Sequence, residues 1–399
     1  MSTDRPLEGI LVADFSRVLA GPLCTMTLAD LGATVIKVER PGTGDDTRSW
    51  GPPFSATGST YFESVNRNKQ SVALDLADPA DRRLAQELAL RADVLVENFK
   101  PGGMTKLGLG YAELSAMNPG LIYASISGFG SAAGADLPGY DFIVQALGGL
   151  MSITGEADAD PMKAGVALVD VLTAKDATIG VLAALNARKT SGAGAHVEVN
   201  LLSSLQGALA NQGQAYLGAG KVASRMGNDH PSIVPYQLLA CADGSVAVAC
   251  GNDGQFVRLC AEIGKPELAA DSRFATNSAR VANREVLVGL LEEALGADTG
   301  ENWQARFTLR GVPSGKIAGI DEGLAYAESL GLDPVIEVHN SEGIAVGRQV
   351  RHPITWTPAL NPPTAAPPQL GEHTEQIRAW LGSDSHSAED LGGLARQRP

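Results

Sequence analysis

The first two hundred residues repeat one arrangement, a short β-branched apolar run followed by a helical stretch and then another apolar run. "GILVADF", "TVIKVE", "DVLVENF" and "LIYASIS" have the length and continuous hydrophobicity of strands buried on both faces. "LCTMTLADLG", "DPADRRLAQELALRA" and "YAELSAM" between them have helical spacing. Strand, helix, strand in repetition predicts an α/β fold: a parallel sheet with helices on both faces, since each parallel crossover must bury one face of its helix.

The pattern continues with a long helix from Asp170 to Lys189, ended by "TSGAGAH", and a strand leading into another helix in "VEVNLLSSLQGALANQGQAYLGAG". Near Arg225 the texture changes. "RMGNDHPSIVPYQ" is a loop, and "LLACADGSVAVACG" is a hairpin with Asp-Gly at its turn. A smaller α+β unit with helices in "DGQFVRLCAEIG" and "REVLVGLLEEALG" follows. Then come a strand pair in "VIEVHNSEGIAVGRQVRHPITW", a proline-rich strap, one helix and a frayed tail of about fifteen residues.

With 399 residues, 44% of them hydrophobic, the chain can build two well-buried domains. It carries no apolar run of about 18 residues and no secretion signal in "MSTDRPLEGI", so a cytoplasmic protein without a membrane partner is expected. A formal net charge of -14 repels nucleic acid, and an anionic ligand would need a local basic pocket. Cys24, Cys241, Cys250 and Cys260 lack CxxC pairing, and the six histidines lack HxxxH spacing. Reduced thiols and no metal site are expected.

Asp170 stands inside the otherwise apolar "KAGVALVDVLTAKDATIGVLAAL". A carboxylate there must cap, pair or react, because burying it without partners costs free energy. Asp is favoured just before a helix, and Val171 onward is helical in pattern, so a cap is the expectation from residues alone. The first strand-to-helix turn, "DFSRVLAGPLCTMTLADLG", has neither GxGxxG nor a P-loop, which argues against dinucleotide and nucleoside-triphosphate chemistry.

Several phrases in fixed order, "LEGILVADFSRVLAGPLCTMTLADLGATVIKVERPGTGDDTRSWGPPF", "YFESVNRNKQSVALDL", "DVLVENFKPGGMTKLGLGY", "GYDFIVQALGGLMSITG", "ALVDVLTAKDATIGVLAAL" and "PQLGEHTEQI", give the chain its resemblance to the family III CoA-transferases. That group includes formyl-CoA and crotonobetainyl-CoA transferases and the related α-methylacyl-CoA racemases. The resemblance implies a doubly wound, Rossmann-like large domain from residues 1–224 and 330–399, an inserted small domain at 225–329, and an interlocked homodimer. It also implies a reaction moving coenzyme A from an acyl-CoA to a free carboxylic acid, with no metal or redox cofactor.

Asp170 matches the family's nucleophile, which attacks the thioester; a position at a helix N-terminus would keep it ionised. Arg17, Val18, Arg40, Asn98 and Lys106 match CoA-contacting positions. Tyr140 and Asp141 match pocket-lining positions, and Gly251 and Gly254 fall on the family's glycine-rich covering loop. His230, in "NDHPSIVPYQ", resembles members acting on dicarboxylic acids such as succinate or glutarate. The racemase branch has a histidine where this chain has Tyr140, a far weaker base, which favours transfer over racemisation. Leu19 and Pro138 replace a glutamine and a lysine of formyl-CoA transferase, against a formyl or oxalate specialist. A racemase or epimerase and a non-catalytic CoA-binding protein are the alternatives.

Overall fold

A computed structural model describes residues 5–383; the expected frayed tail lies outside them. Six parallel strands form one sheet: β1 (Leu11–Asp14), β2 (Thr34–Glu39), β3 (Lys69–Ala73), β4 (Val94–Glu97), β5 (Ile122–Ser127) and β6 (Ala195–Asn200). Their spatial order is β3-β2-β1-β4-β5-β6, so the chain winds outward in both directions from the β1/β4 seam. In a sheet of this order ligands bind beyond the strands' carboxyl ends at that seam.

Both faces are covered. On one, Val12, Val35, Val94 and Ile122 pack with the Ala20–Asp30 and Leu168–Ser191 helices. On the other, Leu11, Ile36, Leu95 and Tyr123 pack with the Pro79–Arg91 and Tyr111–Met117 helices and the C-terminal Thr374–Leu381 helix. Fully burying each such aliphatic side chain is worth about 1.5–3 kcal/mol. Both ends of the described chain thus serve one core.

β3 reads poorly as a strand in the sequence, since "KQSVA" is mostly polar. Its polar groups have buried partners instead of water. Lys69 Nζ pairs with Asp14 Oδ2 at 3.0 Å, and the Ser71 hydroxyl donates to Glu39 at 2.6 Å.

The strap is extended as expected: Asn68 exchanges two hydrogen bonds with Ala365, and Arg48 donates to the Pro368 carbonyl. The Val335–His339 and Ala345–Val350 strands before it pair antiparallel.

Contacts divide the chain into two units, residues 1–150, 164–219 and 332–399 in the first, and 151–163 with 220–331 in the second. Residues 151–163 join the second through the Gly227 amide on the Gly155 carbonyl and Arg225 on the Glu156 carbonyl. That unit has a three-stranded antiparallel sheet, Tyr236–Cys241, Gly244–Ala249 and Ser314–Lys316, over helices that include Asp253–Glu262 and Arg284–Leu295. No helix among the described residues is long and apolar enough to cross a membrane.

Candidate active site

The long helix starts at Leu168, and Asp170 is its third residue rather than its cap. Val169, Thr173, Ala174, Ala177, Val181 and Leu185 form its buried stripe, and the small alanines let it lie close to the Ala20–Asp30 helix. The capping falls to Asp141. Its Oδ1 accepts the amides of Val169 (2.7 Å) and Asp170 (3.2 Å), while its Oδ2 accepts from Gln145 Nε2 at 2.6 Å. Gln145 Oε1 in turn accepts the Ala164 amide at 2.9 Å, which fixes which way its carboxamide faces.

With the orphan amides answered by Asp141, the half-buried Asp170 carboxylate has no hydrogen bond or ion pair among the described residues. Burial, and then the like charge of Asp141, push its carboxyl up to about 7. The expectation that the helix N-terminus keeps Asp170 ionised is not met: the free amides go to Asp141, and the Asp170 carboxyl holds its proton up to near-neutral pH. Once ionised it is desolvated and more basic than usual, which suits nucleophilic attack. Tyr61 belongs to the same cluster: burial and the charges of Asp170, Asp141 and Asp45 push its phenol up to about 12. The Trp50 ring meets Tyr61 edge to face at 5.1 Å. Neither aromatic stands out in the sequence by charge or spacing, although Tyr61 opens one of the phrases that carry the resemblance.

At the carboxyl ends of β1, β2 and β3 lies a cavity of about 260 Å³, lined by Phe15, Arg17, Lys37, Arg40, Leu74 and Phe99 among others. Arg17 Nε is buried without a hydrogen-bond partner, while its Nη1 pairs with Asp46 Oδ2 at 3.0 Å. Asn98 reaches across the β1/β4 seam and clamps Arg17 by its backbone, accepting its amide at 2.8 Å and donating to its carbonyl at 2.7 Å. Val18 follows with a φ of +71°, in the left-handed region. Lys106 is exposed on the Gly103–Lys106 turn and is not among the cavity's lining residues.

Tyr140, 62% exposed, precedes the Asp141–Leu147 helix and makes no side-chain cap. The other expected pocket residues belong to the second unit. There Gly251 donates its amide to Gln255 Oε1, and Asn252 caps the helix that carries Asp253 and Gly254. Asp253 is tied to the fully buried Arg280 at 2.7 Å. His230 is half-buried beside the Tyr236 ring, and its Nδ1 accepts the Ser232 amide at 3.0 Å. That bond leaves Nε2 to carry the proton of the neutral ring.

Residues 7–374 match the family model described as CoA-transferase family III. The chain is 43% identical over 392 residues to the succinyl-CoA:glutarate CoA-transferase of Mus musculus, across 97% of this chain and 89% of that one. It is also 43% identical over 396 residues to the succinate–glutarate CoA-transferase of Agrobacterium fabrum, across 96% and 97% of the two chains. A crystal structure of a CaiB/BaiF family protein from Brucella suis matches with a TM-score of 0.84 at 44% identity, covering 94% of this chain and 99% of that one. A fold wound outward from a β1/β4 seam, with a carboxylate left unpaired at a helix N-terminus, thus coincides with sequence likeness along nearly the whole chain, and the chain belongs to CoA-transferase family III as one of its enzymes.

Proposed function

We propose that the protein transfers coenzyme A between carboxylic acids through covalent intermediates on Asp170. The observation that carries this reading is the unpaired, half-buried Asp170 carboxylate beside Asp141. The carboxylate attacks the thioester carbonyl, the C–S bond breaks, and an aspartyl anhydride and CoA thiolate result. The thiolate attacks the aspartyl carbonyl, giving an aspartyl-CoA thioester and releasing the donor acid. The acceptor carboxylate then attacks this thioester to form a second anhydride, and the thiolate attacks its new acyl carbonyl, releasing acyl-CoA and restoring Asp170. Every step exchanges one acyl bond for another, so the sequence needs neither metal nor redox partner.

Arg17 and Arg40 at the cavity supply positive charge for the phosphates of CoA, with Val18 and Asn98 shaping the loop beside them. Lys106 is offered as an outer contact. Tyr140 is proposed to face the acyl groups, and Asp141 to hold the start of the Asp170 helix beside them. On the resemblance, His230 is proposed as a substrate contact and the 251–255 loop as a water-excluding element. Relatives named for succinyl-CoA and glutarate, together with a His230 ring able to donate from Nε2, support dicarboxylic acids as substrates. Large apolar side chains exposed on the first unit, including Phe142, Leu147 and Ile179, support an interlocked homodimer, and four free cysteines support a reducing, cytoplasmic setting. Screening acyl-CoA donors against mono- and dicarboxylate acceptors, with CoA esters read by mass, tests the assignment. Dicarboxylate exchange that Asp170→Asn abolishes supports it, and full activity in that variant refutes it.

A further inference from the structure

We propose that Lys37 and Asp45 are positioning residues that hold the Ser16–Val18 turn in a single strained conformation at the mouth of the cavity. The inference rests on the reading that this cavity receives the CoA portion of the substrate. Both side chains are fully buried, and Lys37 Nζ lies 2.9 Å from Asp45 Oδ2. A buried ion pair is weak evidence of stability, since well-packed apolar residues often serve as well, so what the pair does with its remaining bonds is informative. Those of Lys37 go to the turn, and those of Asp45 are shared between the turn and Thr47. Lys37 Nζ donates to the Ser16 carbonyl at 2.8 Å, and both Asp45 oxygens lie 3.3 Å from the Val18 amide.

Val18 needs such holding. A β-branched residue at a φ of +71° is a genuine outlier and persists only where its surroundings over-determine it. The same Asp45 carboxylate accepts the Thr47 amide at 3.0 Å and so caps the Asp46–Ser49 turn that leads to Trp50. Asn98 grips Arg17 from the far side of the seam. The two turns therefore form one rigid wall beside Arg17 and Arg40. Such a wall is pre-organised for its ligand and spares the ordering cost that a loose loop would add on binding.

The test compares Asp45→Asn, Val18→Gly and the double variant, measuring CoA binding by calorimetry, KM and kcat for acyl-CoA, and the urea midpoint. Asp45→Asn is expected to weaken CoA binding about tenfold and raise KM to match, with kcat changed less than about threefold, as lost pre-organisation requires. Adding Val18→Gly is expected to recover most of that loss, because glycine adopts this φ without strain. Should Asp45→Asn fail to fold, Lys37→Gln, which loosens the same pair and its hold on the Ser16 carbonyl, carries the same prediction and the same rescue. Unchanged CoA affinity in Asp45→Asn overturns the proposal, as does a double variant that binds no better than Asp45→Asn. Wild-type protein that binds no CoA at all would overturn the reading of the cavity and this inference with it.

Discussion

Replacing Asp141 by asparagine separates two jobs that its carboxylate performs at once. Asparagine keeps an oxygen to accept the Val169 and Asp170 amides but removes the like charge that helps lift Asp170. Its Nδ2 would then confront Gln145 Nε2, a donor against a donor. Gln145 cannot turn round without giving up the Ala164 amide, so one hydrogen bond is lost, at about 1 kcal/mol. The electrostatic change is of similar size and different in kind. Asp170 stands at about 7 instead of 3.8, with burial the first cause and Asp141 the second. Removing the second cause should lower it by about one unit, roughly 1.4 kcal/mol.

Because kcat/KM against pH reports groups of the free enzyme, its acid limb should move from about 7 to about 6 in Asp141→Asn. At pH 6 the wild type would then run at about 10% of its own plateau and the variant at about 50%. Steady-state rates from pH 5 to 9, with the fold followed by circular dichroism, make the measurement. A plateau lowered with its midpoint unmoved would show that Asp141 acts only as a cap, and a midpoint moved upward would refute the electrostatic account.

Three further outcomes follow from the same geometry. Because the pKa of Asp170 is raised on folding, its contribution to stability is complete below 3.8 and is lost as pH rises through about 7. The full shift is worth roughly 4 kcal/mol, discounted for partial exposure to about 2. Asp170→Asn should therefore gain stability over wild type, by a margin in urea titrations that widens from pH 5 to pH 8. Lys69→Met should leave the buried Asp14 charge with Ser16, Thr25 and the nearby Lys37 but without its ion-pair partner and cost about 3 kcal/mol, with Asp14→Asn in addition recovering part of the loss. Arg40→Ala should raise KM for acyl-CoA about tenfold while leaving kcat nearly unchanged, the signature of lost ground-state binding.

Much of this architecture is legible in the sequence because both signals it uses are local. β1, β2, β4 and β5 announce themselves as apolar runs, and the helix carrying Asp170 by its small and apolar spacing. β3 does not, because Lys69 and Ser71 look solvated until the fold brings Asp14 and Glu39 to them. The cap of the Asp170 helix is hidden for the same reason. It comes from Asp141, 28 residues before the Val169 amide it accepts, where adjacency in sequence points to Asp170 itself. Arg17 and Arg40 do meet at one cavity, while Asn98 turns both ends of its carboxamide to the Arg17 backbone. Tyr61 shows why charge and spacing alone miss a site residue: it is neutral, and what marks it is the acidic company it keeps after folding.

The covalent role of Asp170 can be tested at the atom concerned. Protein incubated with an acyl-CoA donor and quenched with borohydride should yield, on digestion and mass spectrometry, a peptide in which residue 170 alone has been reduced from aspartate to homoserine, with none formed when the donor is omitted. Reduction at some other carboxylate, or continued CoA exchange by Asp170→Asn, would contradict the account.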